Sequence, residues 1–312
     1  IQILVDASMV KLSPIVGYRR SAVLAHVFSV IGLCCLTILP RIMTPYAGIL
    51  ISVFFYSIGG GLTEVVISPI VDALPGDAKA SAMSLLHSFY CWGHMGVVLL
   101  STAFFALFGI ENWKVLAIGW ALVPIANTVI FAGAPLYPIG DEAGQTLSLR
   151  ELAASRAFWV FMLMMLCAGA SEQAVSQWAS AFAEQGLGVS KTAGDLAGPM
   201  AFAALMGVSR LIFGKRGQRM DLNRYMRASC LLCLAAYACI VFVPVPVIGL
   251  LGCAVCGFSV GIFWPGTFSK ATAAIPGGGT AMFALLALAG DLGCTGGPTL
   301  ARLVSGTSRR DF

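Results

Sequence analysis

Long apolar runs, separated by short charged clusters, constrain this chain more than any other feature. Ten segments can be read along it: roughly 1–13, 20–40, 46–72, 80–108, 114–133, 156–183, 192–213, 225–243, 246–270 and 279–304. All but the first reach the ~20 residues an α-helix needs to cross the hydrocarbon core of a bilayer. No water is available there to bond backbone N–H and C=O groups, so each run must satisfy them internally as a helix. A soluble domain carries roughly a quarter charged residues; this chain carries 11%, with 58% hydrophobic. The fold class expected is an all-α polytopic membrane protein. The first segment reads as the tail of a truncated helix, and the chain as a fragment lacking both ends.

The charge follows the segments. Lys11, Arg19 and Arg20 follow segment one, Lys79 follows three, and Arg150 and Arg156 follow five. Lys215, Arg216, Arg219, Arg224 and Arg227 follow seven, and Lys270 ends nine. The intervening loops hold Arg41, Lys114 and Lys191. Basic residues favour cytoplasmic loops, which places the first set inside. Arg302, Arg309 and Arg310 fall on the other side and break the pattern. Topology thus accounts for the net charge of +5, and no nucleic-acid partner is expected.

The ten cysteines lie inside apolar runs, where Cys behaves as a small apolar residue. Two Cys-x-x-Cys spacings, Cys230/Cys233 and Cys253/Cys256, have no His nearby, so neither a metal nor a redox role is read from them. There is no phosphate-binding glycine loop and no His-Glu-x-x-His. No cofactor and no ATP drive are expected.

The longest polar stretch, residues 134–155, combines Pro, Gly and charge. It reads as a cytoplasmic linker between a bundle over 1–133 and a second over 156–312. The halves echo each other. Pro69 is followed by "LPGDAKASAM" and a helix with Gly93 and Gly96; Pro265 is followed by "IPGGGTAM" and a helix with Gly290 and Gly293. Parallel repeats of this kind mark a large class of secondary transporters.

Both halves also carry a basic signature at the same place. These are "VDASMVKLSPIVGYRR", with Asp6, Gly17, Arg19 and Arg20, and "SRLIFGKRGQRMDLNR", with Arg210, Gly214, Lys215 and Arg219. On these residues the whole chain resembles the major facilitator superfamily. The resemblance implies two pseudo-symmetric six-helix bundles, with the ten segments as helices two to eleven of twelve. Asp6, Arg19, Arg20 and Arg210 are expected to form an inner-face conformational latch.

Three segments project polar faces at 100° per residue. Segment six aligns Glu172, Gln173, Ser176, Gln177, Ser180 and Glu184; segment four aligns Ser84, His87, Tyr90, Cys91, His94 and Ser101; segment three aligns Ser57, Gly60, Gly61, Glu64 and Ser68. Such faces line protein or water rather than lipid. The candidate substrate-binding residues are His87, Tyr90, His94, Gln173, Gln177, Trp178 and Trp264. Trp178 and Trp264 serve equally well as core bulk, and His87 as a packed histidine. Two histidines do not make a zinc site without further ligands. Gly60, Gly61, Gly257 and Gly261 read as helix-packing contacts, and Asp195 as a solvated cap.

Glu64 lies about two turns, roughly 12 Å, inside Asp72. A carboxylate there is costly to keep charged, which suits a group that takes up and releases a proton. A salt bridge to another helix is the alternative. Glu172 and Asp291 are the other proton-coupling candidates. Asp291 has Thr295 one turn on and Arg302 on its face, so an internal ion pair is its competing reading.

Glu64 with Ser68-Pro69, and Gly169 with Glu172 and Trp178, resemble the fucose/glucose/galactose–proton symporter branch of the superfamily. Ser68 departs from it, since the branch has Asn there. The resemblance implies proton-coupled transport of a small polar solute, a sugar in the first place. Its partners would be solute, proton and lipid bilayer, in a bacterial inner membrane, with a monomer favoured. A drug or metabolite antiporter is the alternative within the fold. A membrane-embedded enzyme or sensor, using His87 and His94 with Glu64 or Glu172, is the alternative outside it.

Overall fold

The computed structural model describes residues 1–137, 146–188, 190, 194, 196–243 and 245–308. Lys191, Asp195, Arg309, Arg310 and residues 138–145 of the expected linker lie outside them. The described residues form helices joined by short turns and loops, without a strand. The helices are α1 (Gln2–Val16), α2 (Tyr18–Ile42), α3 (Pro45–Asp72), α4 (Lys79–Phe108), α5 (Trp113–Gly133), α6 (Leu149–Ala154), α7 (Arg156–Leu187), α8 (Ala201–Arg216), α9 (Leu222–Phe242), α10 (Pro246–Val260), α11 (Phe263–Ala274) and α12 (Gly279–Ser308). By length and composition, eight stretches among the described residues can cross a membrane.

Local chemistry sets the ends. Pro45 and Pro246 occupy the first turns of α3 and α10, where a missing N–H costs nothing. Ser155 accepts the Phe158 N–H at the start of α7, and Asp221 accepts the Arg224 N–H at the start of α9. Each satisfies a donor that the helix itself leaves orphaned. Gly188 closes α7 with φ 65°, donating to the Glu184 carbonyl at 3.0 Å; a left-handed residue at this position favours glycine.

Two segments differ from the sequence-based expectation. Segment nine, read as one helix over 246–270, is broken after Val260 and resumes at Phe263. Pro265 is the reason: it has no N–H for the carbonyl four residues back, that of Gly261, and its ring crowds it. In segment seven, read over 192–213, a wide π-turn at Leu196–Met200 that contains Pro199 interrupts the regular geometry ahead of α8, which starts at Ala201.

The chain divides into two compact units. The first comprises residues 1–75, 101–154 and 277–288. Its core joins Met9, Tyr18, Ala22, Ala25, Val65, Val66 and Ala284. Glycines let its helices touch: a Cβ on Gly59 would lie 2.5 Å from the Ala25 carbonyl oxygen, and one on Gly61 3.0 Å from Val5. Gly60, grouped with them by sequence, has open space around it.

Arg19 of α2 donates to the carbonyls of Phe131 at 3.3 Å and Ala132 at 2.8 Å. These belong to the last turn of α5, where carbonyls lack helical partners and a cation is favoured. Arg19→Ala is therefore expected to lower stability by about 1 kcal/mol. Thermal unfolding in detergent checks this, and an unchanged midpoint would remove the cap from the account.

The short α6 begins with a reciprocal cap. Ser148 gives its backbone N–H and its hydroxyl to the Glu151 carboxylate, each at 2.7 Å, and the Glu151 N–H returns to the Ser148 oxygen at 3.3 Å. These bonds hold the exposed Glu151 carboxyl below the usual carboxylate range. Leu152 is buried, and the Leu147 N–H bonds the Gly277 carbonyl at 2.8 Å.

The second unit comprises residues 76–100, 155–276 and 289–312. Val175, Ala179, Phe202, Met206, Cys233, Cys253, Cys256 and Val260 form its core, with cysteines serving as small apolar residues. Glycines seam α12 to α7. A Cβ on Gly293 would lie 2.0 Å from the Leu166 oxygen, on Gly297 2.6 Å from the Ala170 oxygen, and on Gly169 2.1 Å from the Gly290 oxygen. Gly257 rides 2.3 Å from the Phe202 oxygen by the same measure. Without a hydrophobic drive between helices in lipid, contact this close supplies much of their association.

Candidate functional site

The site is built around Arg210. Its place in the sequence, four residues before Gly214, groups it with the loop charges. The structure places it instead within α8, its side chain only 3% exposed. A guanidinium cannot give up its charge, so burial demands acceptors, and four are present. Nε donates to the Gly261 carbonyl at 2.8 Å, Nη1 to the His87 carbonyl at 3.0 Å and to Cys91 Sγ at 3.3 Å, and Nη2 to Glu172 Oε2 at 3.3 Å. The Arg210 carbonyl in turn accepts the Ser84 hydroxyl at 2.8 Å.

Each partner arrives by helix geometry. His87 and Cys91 lie one turn apart on α4, so the carbonyl of one and the sulfur of the other meet the same Nη1. Glu172 extends from α7 with its side chain 13% exposed. Gly261 stands at the break between α10 and α11. Its missing Cβ lets it lie against α8, where a methyl group would be 2.9 Å from the Met206 oxygen.

Other candidates belong to the same compact unit. The His87 ring lies 5.9 Å from that of Phe268, and Phe268 meets Trp264 edge-on at 6.3 Å. Trp264 is 8% exposed, and a Cβ on Gly290 would lie 2.2 Å from its ring. Of its two readings, core bulk fits this position better than a stacking platform. Tyr90 and His94 are ring neighbours at 6.4 Å; Tyr90 is exposed and His94 half-buried. On α7, Gln173 is half-buried and Gln177 exposed, beside Trp178 at 41% exposure. Asp291 of α12 is half-buried, and its carbonyl accepts the Thr295 hydroxyl at 2.9 Å.

The remaining candidates lie in the first unit. Glu64 is half-buried, and its carboxylate accepts the side-chain amide of Gln2. Asp6 is completely buried on α1, whereas Arg19 and Arg20 are exposed at the start of α2. Among the described residues, no group of three or more His, Cys, Asp or Glu side chains is placed to hold a metal.

Sequence reasoning picked out both charges but not their pairing. Arg210 stands in "LMGVSRLIFG", well before the end of an apolar run, and that depth was the available signal. The roles of Ser84, Cys91 and the Gly261 carbonyl depend on distances across helices, which no spacing encodes.

Comparison with family profiles matches residues 7–298 to the Major Facilitator Superfamily. No curated protein matches the chain. Among solved structures, the fucose:proton symporter FucP of E. coli aligns with a TM-score of 0.78 at 16% identity, covering 98% of this chain and 81% of its own. The proton:xylose symporter XylE, bound to 6-bromo-6-deoxy-D-glucose, aligns with 0.82 at 13% identity, covering 98% and 77%. The human organic anion transporter MFSD10 (TETRAN) aligns with 0.75 at 16%, covering 96% and 74%.

Proposed function

Because this chain belongs to the Major Facilitator Superfamily, we propose that it is a proton-coupled secondary transporter of a small polar solute, a sugar in the first place. The observation that carries this reading is the ion pair of Arg210 and Glu172, held inside an apolar bundle and bordered by His87 and Tyr90. Charged and amide groups are expensive at membrane depth and are kept where they act on a solute or ion path.

A neutral solute suits the site better than an anion. Four of the guanidinium's five N–H groups are committed to Gly261, His87, Cys91 and Glu172, so little positive charge is left to offer. Gln173 and Gln177 each supply donor and acceptor, which matches a hydroxyl-rich ligand. Fucose and xylose are the sugars carried by two proteins of the same fold, and they are the first ligands to try. An antiporter of metabolites or organic anions is the second reading, supported by the presence of an organic anion transporter among the structural neighbours. Membership of a transporter family leaves an intramembrane enzyme or sensor without a supporting observation.

In this reading Glu64 carries the coupled proton, with Glu172 and Asp291 as further candidates, and transport proceeds by alternating access of bundles over 1–133 and 156–312. Asp6, Arg19 and Arg20 act as a latch that favours one conformation. The distribution of Lys and Arg favours a cytoplasmic linker, and a bacterial inner membrane is part of the same reading.

Gln177→Ala is expected to weaken sugar binding by about 1–3 kcal/mol, the cost of leaving a buried hydroxyl of the ligand unpaired. Isothermal titration of purified protein with fucose and xylose measures it. Unchanged binding in both Gln173→Ala and Gln177→Ala would take α7 out of the sugar site.

A further inference from the structure

Arg210 does two separate things. It pairs with Glu172, and it donates to the Gly261 carbonyl at 2.8 Å. The second contact has a specific cause. In a continuous helix the Gly261 carbonyl would accept the N–H of residue 265. That residue is Pro265, which has none. The next bond, from the Gly266 N–H to the Ile262 carbonyl at 2.8 Å, is already regular. The orphaned acceptor lies at the break between α10 and α11, away from any helical donor, and at this depth an unsatisfied carbonyl is costly. The Arg210 side chain stands in for the missing amide.

We propose that Arg210 is a positioning residue that makes the break in the α10–α11 helix answer to the charge on Glu172. With Glu172 ionised, the pair holds the guanidinium in place, and Nε satisfies Gly261. With Glu172 neutral, a buried cation is left with two carbonyls and a thiol for compensation. Such a cation is unstable where it stands, and its departure frees the Gly261 carbonyl and loosens the break. The titratable groups near the pair are His87, Tyr90 and Cys91 of α4, with Cys294 of α12 acting on Tyr90. Arg210 itself is the cation that faces Glu172 from α8. The use of this link in transport rests on the function proposed above; the link itself does not.

A double-mutant cycle between Glu172→Gln and Pro265→Ala tests it. Pro265→Ala supplies the absent N–H, so the Gly261 carbonyl no longer needs Arg210. Glu172→Gln mimics the neutral acid with nearly the same shape. The readout is amide hydrogen exchange of the peptide covering residues 261–268, in purified protein without solute. In the native Pro265 background, Glu172→Gln should accelerate exchange there at least tenfold; in the Pro265→Ala background it should change it less than threefold. Arg210→Lys, which keeps the charge but cannot span these acceptors, should follow the same pattern. Equal effects in the two backgrounds, or no effect in either, would overturn the link. Should Glu172→Gln fail to fold, Glu172→Asp, with its shorter reach, is read in the same cycle against the same two outcomes. Because no solute is present, a failed uptake assay would count against the proposed function and leave this result standing.

Discussion

Arg210→Met should lower stability by about 3–5 kcal/mol, the usual cost of stripping the partner from a buried charge. The substitution keeps most of the side-chain bulk, so little of the loss comes from packing. What remains is the Glu172 carboxylate, 13% exposed, facing an apolar side chain, and a Gly261 carbonyl without its donor. The Arg210→Met/Glu172→Gln double variant should recover part of the loss, since it removes both charges together. Thermal unfolding followed by tryptophan fluorescence gives the comparison. A double variant as unstable as the single one would mean that the carbonyl contacts, and not the ion pair, dominate.

Gly293→Val should be comparably harmful for a different reason. A Cβ at this position would lie 2.0 Å from the Leu166 oxygen and 2.9 Å from the Ala170 nitrogen. These are backbone atoms, so no side chain can swing aside, and α12 would have to move away from α7. Overpacking of this kind costs about 1–3 kcal/mol in soluble cores and more where backbone must shift. The loss of glycine contacts along the same seam adds to it. The expected outcome is a collapse of the monodisperse peak in size-exclusion chromatography. Gly60→Ala is the matched control: nothing lies within 4 Å of its added methyl group, and alanine favours a helix over glycine by up to about 1 kcal/mol. If Gly293→Val behaves as Gly60→Ala does, the seam is not the close contact described.

The contrast between these residues shows what a sequence can carry. Runs of apolar residues of a certain length admit one backbone solution in a bilayer, so the helices and their order follow directly. The polar faces of segments four and six also follow, because a periodicity of 3.6 residues is a property of one helix alone. Arg210 shows the limit. Its neighbours along the chain group it with a basic loop, while its four acceptors come from α4, α7 and the break between α10 and α11. The break at Gly261 was within reach, since Pro265 orphans that carbonyl wherever the segment packs; the donor that fills the vacancy comes from α8 and leaves no local trace. Trp264 makes the same point. Its residue type fits a sugar platform as well as a core, and only its contact with Gly290, 26 positions along the chain, favours core. Gly60 and Gly61 are adjacent and alike in sequence, yet one lies against open space and the other against Val5.

Proton-driven uptake in proteoliposomes tests the proposed function most directly. Liposomes containing the protein, with an acid exterior and neutral lumen, are given labelled fucose or xylose. The account predicts accumulation above the external concentration, collapse of that accumulation on addition of a protonophore, and loss of accumulation in Glu64→Gln with sugar exchange between equal pools retained. Accumulation that persists in Glu64→Gln would move the proton to Glu172 or Asp291. Failure of the native protein to concentrate either sugar under a proton gradient, while an organic anion is exchanged readily, would contradict proton-coupled sugar transport.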